Sequence, residues 1–121
     1  MPLDKGDAAR LWDMLTYASE TLESLTDVSF AEYLENRTLR LATERRLEII
    51  GEAARRVSQV FQESHPEIPW RRIISFRHVL AHEYGEIKHE MVFQIVSDRL
   101  SELVKALEPL APPPPKEDLS R

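Results

Sequence analysis

The eight residues from Arg77 to Tyr84 hold most of the chain's chemistry. In the run Phe76-Arg77-His78-Val79-Leu80-Ala81-His82-Glu83-Tyr84-Gly85, an arginine, two of four histidines, a glutamate and a tyrosine stand together. On a regular helix His78 and His82, at i and i+4, share one face. Arg77 and Tyr84 lie about two turns apart and are roughly aligned, whereas Arg77 and His82 are separated by about 140°. Those two converge on one substrate only if the helix breaks, the arginine reaches round, or a second subunit completes the site. Three readings follow from these residues. The histidines can be ordinary surface or core residues. They can supply two ligands of a metal site, with Glu83 or His89 as the third, although the His-Glu-x-x-His pattern of zinc proteases is absent. Or a histidine near neutral pKa can move protons while an arginine stabilises developing phosphorane charge, with no metal.

The elements that must position this cluster read as helices. Glycines are few, prolines are confined to the ends and one loop, and no useful alternating strand pattern occurs. A first helix is expected from Asp7, as N-cap, to Thr26, with Leu11, Leu15, Ala18, Leu22 and Leu25 as its apolar seam. A short helix opened by Ser29 closes near Asn36. The longest helix is expected from Arg37 to Glu63, with Leu39, Leu47, Ile50, Ala54, Val57 and Phe61 facing inward and Gly51, Ala53 and Ala54 as a small-residue patch. After the loop Ser64 to Pro69, a helix from Trp70 to Tyr84 carries the cluster, with Trp70 and Phe76 as core anchors. A last helix from Lys88 to Glu108 buries Val92, Ile95, Val96, Leu100, Leu103 and Leu107. The expected fold is all-α, an antiparallel bundle of four to five helices over residues 1–108, followed by a mobile proline-rich tail over 109–121.

Composition narrows the function classes. The 121 residues suit one domain, and the absence of cysteine removes disulfides, thiol nucleophiles and cysteine-bound zinc, as expected of a cytoplasmic protein. No membrane span or signal peptide is expected. The net charge of −5 argues against a nucleic-acid partner until it is mapped. From Arg37 to Arg77 there are nine arginines and no lysine against five glutamates, so this block carries +4 and the remainder −9. A guanidinium grips phosphate bidentately, and the expectation is an electropositive cleft on an acidic body.

These residues carry a resemblance. Arg77-x4-His82-x-Tyr84 resembles the Arg-x4-His-x-Tyr signature of the HepT-like toxins in the HEPN superfamily of helical ribonucleases. Ile49-Ile50-Gly51-Glu52-Ala53-Ala54 resembles that family's Ile-Gly-Glu-Ala block, and Ile68-Pro69-Trp70-Arg71-Arg72-Ile73-Ile74 resembles its Pro-Trp-x-x-Ile lead-in. The three blocks occur in order, and the resemblance extends from about Asp7 to Leu107.

The resemblance implies a metal-independent endoribonuclease with no cofactor, in which Arg77 and His82 are the catalytic pair and His78 occupies the polar position after the arginine. It implies a homodimer whose two motifs face a shared cleft. It also implies that Tyr84 receives AMP from a minimal nucleotidyltransferase antitoxin of the MntA type, which makes the chain the toxin of a toxin–antitoxin system. Glu52 has two readings, either orienting an arginine of the motif helix or pairing within its own helix with Arg55 or Arg56. A non-catalytic HEPN module that holds a nucleotidyltransferase or a nucleotide is the alternative function.

Overall fold

The computed structural model describes residues 3–80 and 88–111. Its helices are α1 (Lys5–Ser24), α2 (Phe30–Glu35), α3 (Arg37–Arg56), α4 (Gln59–Ser64), α5 (Trp70–Ile74), α6 (Phe76–Leu80), α7 (His89–Ile95) and α8 (Ser101–Leu107). Among the described residues there is no strand. No helix there is long and apolar enough to cross a membrane.

The apolar spacing explains which faces are buried. α1 turns Leu11, Met14, Ala18 and Thr21 inward, at intervals of three and four, and Leu25 follows them. α3 answers with Leu47, Ile50, Ala53 and Ala54. The two run antiparallel, since Asp7 near the start of α1 bonds Ser58 just beyond α3, while Ser24 at the far end of α1 accepts a bond from Arg46. Side-chain caps set the entries into α2 and α3. Ser29 and Glu32 form a reciprocal capping box at the start of α2, and the Asn36 carboxamide accepts the Leu39 N–H at 3.0 Å.

Two helices expected to be continuous are interrupted. The Arg37–Glu63 helix ends at Arg56, because Val57 adopts an extended conformation and Ser58 caps α4 through Phe61 N–H. Asp7 locks that break: its carboxylate accepts the Ser58 N–H at 2.8 Å and the Ser58 hydroxyl at 2.6 Å. Asp7 is therefore not the N-cap of the first helix, which starts after Asp4. The second interruption falls at Ser75, between α5 and α6.

α7 passes through a single π turn, Val96–Leu100, into α8. A spacing of four from Val92 to Val96 to Leu100 drifts around an α-helix by about 40° per step. The wider turn offsets that drift and keeps all three buried. Trp70 and Phe76 are core residues, and the Trp70 indole N–H donates to the His65 carbonyl at 3.0 Å. Beyond α8, Leu110 and Ala111 still pack against the core.

Candidate active site

Arg77 and His78 sit on α6, both exposed. α6 has only five residues, too few to be a stable helix alone. Its position comes from the small-residue patch of α3. A Cβ on Gly51 would lie 3.1 Å from the Ile73 carbonyl oxygen, 3.6 Å from that of Ile74 and 3.8 Å from the Phe76 Cβ. The absent side chain lets α5 and α6 press directly onto α3. Hence the three sequence blocks that carry the family resemblance meet in space at Gly51, Ile73 and the helix of Arg77.

This packing leaves an open cleft of about 720 Å³ between α1, α3 and α6. α1 supplies Arg10 and Asp13, α3 supplies Arg45, Glu48, Ile49, Glu52, Ala53 and Arg56, and α6 supplies Arg77 and Leu80. Ile49, Ala53 and Leu80 make an apolar floor under the charged rim. Arg45 is ion-paired to Glu48 one turn on. Glu52 accepts from Arg55 at 2.6 Å and from Arg56 at 2.9 Å. These bonds hold the Glu52 carboxyl well below the usual range, at about 2, with Arg55 contributing most. On α1, partial burial pushes the Asp13 carboxyl up, against the pull of the Arg10 charge.

Of the two readings of Glu52, the geometry observed is the pair within its own helix. Glu52 nevertheless lines the same cleft as Arg77, so both belong to one surface. His78 lies on α6 next to Arg77 in sequence and is exposed. His82, Glu83 and Tyr84 lie outside the described residues, as does the tail from Pro112. His89, the third histidine of the metal reading, starts α7 and stands 3.7 Å from the Glu44 carboxylate. Among the described residues no group of three metal-ligating side chains comes together.

The expectation of an electropositive cleft is corrected. Of the nine arginines from Arg37 to Arg77, only Arg45, Arg56 and Arg77 line it. Arg40 is turned to the Leu34 carbonyl and Arg46 to Ser24, while Arg71 and Arg72 flank a separate depression at Pro69. Helical geometry is the reason, because adjacent arginines such as Arg45 and Arg46 point about 100° apart. The cleft's fourth arginine, Arg10, comes from outside the block. Against these four cations stand Asp13, Glu48 and Glu52, so the rim is mixed in sign.

Comparison with known proteins gives a consistent picture. The family model described as "Ribonuclease HepT-like" matches residues 14–110. The protein named "Putative RNase MJ1380" of Methanocaldococcus jannaschii is 34% identical over 100 residues, covering 83% of this chain and 92% of that one. "Probable ribonuclease HepT" of Thermococcus cleftensis is 33% identical over 94 residues, covering 77% of this chain and 86% of its own. "Putative RNase TTE0752" of Caldanaerobacter subterraneus is 31% identical over 87 residues, covering 72% and 78% respectively. No solved structure matches the chain significantly.

Proposed function

The chain belongs to the HepT-like ribonuclease family, and on that footing we propose that it is a metal-independent endoribonuclease, the toxin of a toxin–antitoxin pair. The observation that carries the reading is the convergence of Arg77 with Glu52 and Arg56 on one cleft, above an apolar floor and beside the helix junction at Gly51.

The chemistry is internal transesterification. The RNA 2′-hydroxyl loses its proton to a general base and attacks the adjacent phosphorus. The bond to the 5′-oxygen of the next nucleotide breaks, and that oxygen takes a proton from a general acid. The products are a 2′,3′-cyclic phosphate and a free 5′-hydroxyl. His82 serves as base or acid, and Arg77 neutralises the phosphorane oxygens with a bidentate grip that needs no metal. His78, next to Arg77 on α6, is the supporting residue.

Two further parts complete the proposal. The active form is a homodimer, in which the partner's motif faces the same cleft and relieves the roughly 140° separation of Arg77 and His82 on one helix. An MntA-type minimal nucleotidyltransferase transfers AMP to Tyr84, and the added charge and bulk near Arg77 compete with RNA.

The deciding experiment incubates purified protein with matched RNA and DNA oligonucleotides, with and without EDTA. Cleavage of RNA alone, insensitive to EDTA and lost in His82→Ala, is expected. Wild-type cleavage by His82→Ala would overturn the site assignment. A mass increase of one or more AMP units mapped to Tyr84 after incubation with the partner and ATP is the expected sign of neutralisation, and modification elsewhere would overturn it.

A further inference from the structure

The four cleft arginines fall into two kinds. Arg45 and Arg56 are committed to carboxylates on their own helix, Glu48 and Glu52. Among the described residues, Arg10 and Arg77 have neither an ion pair nor a hydrogen bond from their guanidinium groups. They stand on different walls, α1 and α6. Arg10 is only partly exposed, and its charge acts on Asp13, one turn on along α1. A guanidinium above an apolar floor, with its donors not taken up by those neighbours, is set out to receive an anion.

We infer that Arg10 binds a second phosphate of the RNA, a neighbour of the scissile one held by Arg77, so that the substrate is a single strand threaded between α1 and α6. This rests on the ribonuclease reading above. The span of α3 along the cleft, from Arg45 to Arg56, is eleven helical steps, or about 16 Å. A stacked strand advances about 3.4 Å per phosphate, so the cleft runs past more than one. A duplex does not suit it. The A-form backbone holds the 2′-oxygen off the line of attack, and double-stranded RNA is read across its broad minor groove.

The test reads binding apart from cleavage. A single-stranded 2′-O-methyl hexanucleotide lacks the nucleophile and reports affinity alone. The slope of log affinity against log salt should fall in magnitude by about 0.7 in Arg10→Gln, the loss of one phosphate contact on a single strand, and Arg10→Lys should restore it. In cleavage assays Arg10→Gln should raise KM severalfold more for a trinucleotide, which has a second phosphate, than for a dinucleotide. A wild-type slope in Arg10→Gln, or an equal rise in KM for both substrates, overturns the inference. Binding of the hexanucleotide by wild type without cleavage of its all-ribose counterpart would instead overturn the ribonuclease reading, and the slope would still decide the Arg10 contact.

Discussion

Asp7 and Ser58, fifty-one positions apart, form a double hydrogen bond that ties the start of α1 to the break after α3. The Asp7 carboxylate is buried, and it satisfies a backbone N–H that α4 would otherwise leave unpaired. Asp7→Ala is expected to cost about 1–3 kcal/mol, the loss of hydrogen bonds to a charged group. Asp7→Asn keeps an acceptor and should lose less. Chemical denaturation of both variants checks the order, and equal losses would show that Ser58 is not the partner that matters.

Gly51 is where α3 admits the motif helix. Gly51→Ala gains up to about 1 kcal/mol of helix propensity but drives a methyl group against backbone carbonyls. Overpacking of this kind costs about 1–3 kcal/mol, so a net loss is expected, larger still in Gly51→Val. Cleavage should fall more than stability explains, because α6 must move. Thermal unfolding together with kcat on RNA separates the two effects.

Glu52 should remain ionised far into acid. Its carboxyl is held at about 2, against an ordinary 4.5, by the Arg55 and Arg56 hydrogen bonds. The stabilising pairing is complete above about pH 4.5 and is lost as pH falls through about 2. A carbon-detected NMR titration of the Glu52 carboxyl reads the midpoint directly. Arg55→Gln should raise that midpoint more than Arg56→Gln, and a midpoint near 4.5 in the wild type would refute the pairing in solution.

Tyr33 of α2 is fully buried against α3 and α7, and among the described residues its hydroxyl has no hydrogen-bond partner. The nearby Thr43 hydroxyl donates instead to the Leu39 carbonyl. Burial and the Glu44 carboxylate push the phenol up to about 12. Tyr33→Phe removes an unsatisfied polar atom while keeping the ring against Phe93, 5.3 Å between centroids. It should be neutral or stabilising by up to about 1 kcal/mol, whereas Tyr33→Ala should cost about 3–5 kcal/mol. A shift in the urea midpoint measures both.

Arg77 is exposed, so its replacement should report on chemistry rather than on folding. Arg77→Lys keeps the charge and loses the bidentate fork. Removing such a stabilising donor costs about 10²–10³ in rate. We expect a loss of that order in kcat with an unaltered melting temperature, and full activity of the lysine variant would reduce the role of Arg77 to charge alone.

The seams of α1, α3 and α8 were legible because burial repeats with the helical period. Leu11, Ala18, Leu47, Ile50, Leu103 and Leu107 are all buried as their spacing implies. The break at Val57 was not legible. No glycine or proline marks it, and its cause, Asp7, lies half the chain away. The site shows the same divide. Local spacing singles out Arg77 and His78, and it sets Glu52 within one turn of Arg55 and Arg56. Which arginines share the cleft depends on helix rotation and on how α1 crosses α3, so the sequence pattern shows neither Arg10 in the cleft nor Arg46 turned away to Ser24.

The brevity of α6 has a consequence for how the protein loses function. A five-residue helix has no cooperativity of its own, so Arg77 is held in register only while α5 and α6 stay seated at Gly51. The cleft and the fold then open as one unit, and amide hydrogens of Ile73 to Leu80 should exchange with the free energy of α3 rather than with that of a loop. Loss of function and loss of fold should therefore coincide on denaturation.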